Sequence, residues 1–87
     1  MPDTTDVKER AKKIREVASQ LREMEHYSKT NMEKLSAFWL LFEEEVKNEE
    51  FSEKVSTLMN SQAKFEEDVL VMIKDLEIRA NRLEQDA

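Results

Sequence analysis

The chain contains no glycine and no cysteine, and its one proline, Pro2, stands at the start. Without glycine or internal proline it lacks the turn chemistry that sheets depend on, which leaves long helices as the expected structure. The absence of cysteine removes a disulfide framework and any thiolate metal site. Long hydrophobic runs are missing too. The longest, Ala37 to Phe42, is six residues, against the ~20 that a membrane-spanning helix needs. No continuous apolar stretch follows a basic start at the N-terminus, so neither a signal peptide nor a membrane anchor is expected. The expected location is intracellular, cytoplasmic or nuclear.

What the chain does have is charge: 39% of its 87 residues, with 20 acidic against 14 basic side chains and a net charge of −6. This composition belongs to long solvated helices. The acidic balance argues against sequence-independent binding to nucleic acid, which is driven by neutralising phosphates. The basic cluster Lys8, Arg10, Lys12, Lys13 and Arg15 is interleaved with Glu9 and Glu16 and has no aromatic residue to stack on a base, so it reads as a solvated helix face. A chain of this length is one domain at most, and a single copy has trouble burying enough surface to repay its ordering entropy. An all-α fold supported by a partner chain is the expectation.

Met1 to Thr5 reads as a polar lead-in, and Asp6 with Glu9 as a capping box at a helix start, with Asp3 or Thr4 as competing caps. From there an apolar string recurs at every seventh residue: Val7, Ile14, Leu21, Leu35 and Phe42, with Ser28 its polar member. Ala11, Ala18, Met32, Trp39 and Val46 flank it on one side, and Val17, Met24 and Phe38 on the other. Three adjacent strings make a face wider than one partner helix covers, which points to two neighbours, as in a four-helix bundle. Thr30 and Glu33 offer a second capping box, so a kink or break near Ser28 to Asn31 is an open alternative.

The acidic block Glu43, Glu44, Glu45, Glu49, Glu50 and Glu53 locates the chain reversal, because Glu opposes a helix dipole at its C-terminus and favours it in a first turn. Asn48 can take the left-handed conformation that ends a helix, and Asn48 or Ser52 can cap the next. Beyond it the expected seam is Phe51, Val55, Leu58, Phe65, Val69, Met72, Leu76 and Leu83, with Gln62 and Arg79 filling its remaining slots and Met59, Ile73 and Ala80 widening the face. This seam is shifted by two residues from that of the first helix, a shift that a turn explains and a continuous coiled coil does not. The reading is one helix over about 6–47, a turn over about 48–51 and a second helix over about 51–85. Folded there, Leu21 meets Leu76, Ile14 meets Leu83, Trp39 meets Leu58, and Gln62 faces Leu35. Two such hairpins packed face to face bury the wide stripes.

The centre of this organisation is Leu35 to Phe42, the one place where apolar side chains point in every direction around a helix. Leu35, Phe38, Trp39 and Phe42 share a broad face, Leu41 lies at its flank, and Leu40 points away. Such a segment is either core near a helix crossing or a docking patch for another protein. With Leu58, Gln62 and Phe65 opposite, these residues are the candidate protein-interaction site. Gln62 in an apolar seam can fix register and partner number.

No constellation here carries chemistry. Glu23 and His26 have the spacing of di-iron carboxylate bundles, but they fall opposite Ile14, Leu21 and Leu35 and point to solvent. The single histidine is outward-facing and no nucleophile is fixed on a turn. Neither catalytic, cofactor nor metal residues are assigned.

The run Met32-Glu33-Lys34-Leu35-Ser36, followed by an aromatic stretch with Trp39 and a turn into a second helix, resembles the synaptonemal complex central element protein 3 family. Its members are short helical proteins that build the midline scaffold of paired meiotic chromosomes by self-assembly. The match covers that run and the outline; the proline expected in the connecting turn is missing. The outline is also similar to the helical hairpins of the WXG100 secreted family, whose Trp-x-Gly turn this glycine-free chain lacks. The first resemblance implies that Trp39 and its apolar neighbours are assembly contacts; the second implies a dimer exported by bacteria. The leading expectation is a non-enzymatic scaffold subunit, at least a homodimer, that binds another helical protein and neither nucleic acid nor membrane. A metal-binding bundle enzyme is the remote competitor.

Overall fold

The structure, a computed structural model, describes residues 4–86 and the side chains from Asp6 onward. It is a helical hairpin: α1 spans Thr4–Leu40, a five-residue π turn covers Leu41–Glu45, and α2 spans Glu49–Gln85. Each helix has 37 residues, which at 1.5 Å per residue is ~55 Å of rod, and the backbone measures 65 × 14 × 13 Å. α1 is unbroken through Ser28–Asn31, so no break divides the helix there. Asp6 lies in the first turn of α1 rather than at its cap, and Asp3 falls outside the described residues.

The reversal has a physical cause at each step. Three successive Glu side chains crowd the C-terminal end of α1, where the dipole disfavours them and no basic residue compensates. There the last turn widens: Val46 N–H donates to the Leu41 carbonyl at 2.9 Å, and Asn48 N–H to the Phe42 carbonyl at 2.9 Å. Lys47, not Asn48, takes the left-handed conformation, with φ 55°, at a cost of ~1–2 kcal/mol for a residue with a Cβ. Asn48 then caps α2, its side chain accepting from Phe51 N–H at 3.0 Å, and Glu49 and Glu50 fall in the favourable first turn. The second helix therefore starts at Glu49, and the turn lies ahead of the expected 48–51.

Both helices carry an uninterrupted 4-3 repeat of buried or half-buried positions. In α1 it runs Val7, Ala11, Ile14, Ala18, Leu21, Glu25, Ser28, Met32 and Leu35, and in α2 Ser52, Val55, Met59, Gln62, Glu66, Val69, Ile73, Leu76, Ala80 and Leu83. Here the second helix departs from the sequence expectation. Val55, Gln62, Val69, Leu76 and Leu83 do face α1, but the alternate string is Ser52, Met59, Glu66, Ile73 and Ala80. Phe51, Leu58, Phe65 and Met72, expected in the seam, are exposed. Gln62 donates to the hydroxyl of Ser28 and lines one groove with Leu35, and the pairs Arg22–Glu77 and Arg15–Glu84 fall beside the expected Leu21–Leu76 and Ile14–Leu83.

The reason is size. Ala11, Ala18, Ser28, Ser52 and Ala80 are the most completely buried side chains along the contact, and small residues let two backbones approach closely. Larger seam residues such as Leu21, Leu35, Leu76 and Leu83 stay only half-buried, and Phe51, Leu58 and Phe65 lie at the edge of the pair. The buried polar groups are satisfied: Ser28 accepts from Gln62, Ser52 donates to the Glu49 carbonyl at 3.0 Å, and no buried side-chain polar atom among the described residues lacks a partner. The resulting core is thin. Among the described residues its buried apolar side chains are Val55, Val69 and Ile73 plus three alanines, each of the larger three contributing ~1.5–3 kcal/mol.

Candidate protein-interaction face

In an antiparallel pair the positions beside the seam sort onto two edges. On one edge Arg15 pairs with Glu84, also bonding Asn81 Oδ1 at 2.8 Å, and Arg22 pairs with Glu77. The hydrogen bond from Arg15 holds the Glu84 carboxyl below the usual carboxylate range; the charges of Arg15 and Lys8 add to this and desolvation opposes it. All four partners are substantially exposed.

The other edge is apolar on both helices. The residues immediately before one seam string of each helix recur by sevens: Val17, Met24, Asn31 and Phe38 on α1; Phe51, Leu58, Phe65 and Met72 on α2. Leu58 is 55% exposed, Met72 50%, Phe38 49% and Phe65 43%. Between them runs a groove of ≈ 390 Å³ lined by Asn31, Lys34, Leu35, Phe38, Leu58, Ser61, Gln62 and Phe65. A smaller hollow, lined in part by Met24, Tyr27 and Ser28, adjoins it and shares Asn31, Gln62 and Phe65. At the turn end the Phe42 and Phe51 rings lie 5.4 Å apart, tilted at 57°, with the Lys54 ammonium 5.9 Å from the Phe51 ring, within cation–π range.

Of the residues marked from sequence, Leu35, Phe38, Leu58, Gln62 and Phe65 come together in the groove. Phe42 is half-buried beside Phe51. Trp39, Leu40 and Leu41 do not line the groove; they are 37%, 49% and 38% exposed near the turn. Sequence reasoning missed Val17, Met24, Phe51 and Met72 as members of an outer face. Their signal was present in the seven-residue recurrence, which was assigned to seam and flank instead.

Glu23 and His26 are exposed on the outer side of α1, where the His26 ring meets Tyr27 edge-on at 5.9 Å. Among the described residues no three His, Cys, Asp or Glu side chains form a metal-binding group. No helix among them is long and apolar enough to cross a membrane. No protein-family model, curated protein or solved structure matches the chain.

Proposed function

We propose that this chain is a non-enzymatic assembly module: a hairpin that homodimerises through its apolar edge into a four-helix bundle and then joins a larger scaffold with another helical protein. The observation that supports this most directly is the pair of exposed apolar strings on one edge. Their seven large side chains, about half exposed, leave on the order of 600 Å² of apolar surface per hairpin, at the top of the roughly 300–600 Å² that the largest patch on a typical monomer presents. A standard interface takes ~800 Å² per partner. A second copy supplies the missing half of the bundle and adds burial to a core that is thin without it. Leu40, Leu41 and Trp39, outside the groove, are the surface left for the second step of assembly. The outline and the Met32–Ser36 run agree with a subunit of the synaptonemal-complex kind.

Sedimentation equilibrium at micromolar concentration tests the first step. The expected mass is at least twice the 10.3 kDa of one chain. A single-chain mass up to millimolar concentration would remove the proposal.

A further inference from the structure

We infer that the second copy lies head to tail on the first, related by a two-fold axis that crosses the rod at right angles near its middle. This rests on the reading of the apolar edge as a self-association surface and adds its orientation.

The apolar string of α1 runs from Val17 to Phe38, and its midpoint falls between Tyr27 and Ser28. That of α2 runs from Phe51 to Met72, with its midpoint between Ser61 and Gln62. The cross-helix contacts Gln62–Ser28, Phe42–Phe51, Arg22–Glu77 and Arg15–Glu84 place both midpoints near the middle of the rod, within about two helical turns of each other. Each string steps by seven and is therefore symmetric about its own midpoint. A two-fold axis across the middle of the rod lays each string against its own counterpart in the other copy. A copy laid with its turn beside the first turn covers the same surface, so apolar area does not choose between the two arrangements.

Charge does. Residues 43–54, around the turn, hold six acidic and two basic side chains. The open end, residues 6–15 and 77–86, holds seven basic and five acidic ones, and two of those acids, Glu77 and Glu84, are already engaged by Arg22 and Arg15. One heptad beyond the apolar strings toward the open end stand Arg10 and Arg79, both exposed. At 1.5 Å per residue each lies ~26 Å from the midpoint of its own string, toward the end at which a head-to-tail copy presents its acidic turn. The turn-beside-turn arrangement instead crowds four arginines at one end and both acidic turns at the other, a like-charge juxtaposition that opposes docking.

The absence of cysteine makes a single spin label at Glu44→Cys a direct test, since a dimer then contains one label pair. Head to tail, the pair is ~50 Å apart; turn beside turn, it falls within two helix diameters, ~25 Å. The short distance would overturn the orientation while leaving self-association standing. A single-chain mass by sedimentation would overturn both. As a second measurement, Arg10→Glu with Arg79→Glu should raise the dimer dissociation constant roughly tenfold at low salt, and added salt should narrow the gap. Unchanged or tighter association would count against the head-to-tail arrangement.

Discussion

Along one edge of the hairpin Arg15 and Arg22 reach Glu84 and Glu77; along the other, Phe38 of α1 and Leu58 and Phe65 of α2 line an open groove. Both edges come from the same two helices and the same repeat. They differ in what each leaves for another molecule. Exposed ion pairs contribute ~0–1 kcal/mol, and groups already paired and hydrated gain little from a further contact. On the ionic edge these charged groups are already paired within one chain, with Leu70 the large apolar side chain left exposed beside them. The apolar edge keeps half-exposed aromatic and aliphatic side chains in water, where only a second surface can relieve them. One chain thus carries a finished side and an unfinished side, and the antiparallel fold creates the difference by bringing matching flanks of both helices to the same edge.

The largest effect expected from breaking this contrast is on association. Leu58→Glu with Phe65→Glu places two charges on the apolar edge and should raise the dimer dissociation constant at least a hundredfold, about 2.7 kcal/mol, as read by sedimentation. Ala63→Glu, an equally exposed position on the ionic edge, should leave association unchanged. If the two variants behave alike, the edges do not differ in the way argued here.

A smaller effect belongs to the seam between the edges. Ala80 is fully buried, so Ala80→Leu adds apolar volume where there is no room and should cost ~1–3 kcal/mol of stability. For a domain of this size each kcal/mol lowers the melting midpoint by ~4–8 °C. A midpoint that rises instead would mean that the seam has room for a larger side chain at Ala80.

That seam is also where sequence reasoning stopped short. The helical class and the hairpin follow from the absent glycine, the acidic block and the phase shift between the two apolar patterns. Val55, Val69 and Leu76 were legible because they lie at the middle of a three-string arc and face the partner helix whichever flank is chosen. The choice of flank was not legible. Hydrophobicity favours Phe51, Leu58, Phe65 and Met72 over Ser52, Met59, Glu66, Ile73 and Ala80, yet the contact buries the second string, with the small Ser52 and Ala80 its most completely covered members. A pattern of apolar residues records that surfaces are buried in the end, and not which partner buries them. The Lys47 conformation was missed for a related reason: residue preference favours Asn at a left-handed site, but the widened last turn moves that site one position earlier and uses Asn48 as the cap.

The smallest expected effect is on the ionic edge, and its sign is fixed by Glu84. The Glu84 carboxyl is held below its ordinary range chiefly by the Arg15 hydrogen bond, so the folded state favours the ionised form more than the unfolded chain does. A carboxylate with a lowered folded-state pKa contributes stability that is fully present above the unfolded value, ~4.3 for glutamate, and is lost as pH falls through the folded value. Glu84→Gln removes that contribution. Thermal melts of parent and variant should therefore differ slightly and by a constant amount above about pH 5, then converge as the solution is acidified below the carboxylate range. High salt should also draw them together, because the pair is exposed to solvent. The dimer mass should be the same for both proteins throughout. A difference that persisted at the acid end would assign Glu84 a packing role in place of a charge-dependent one, and a loss of association would show that the ionic edge is not the finished side of the hairpin.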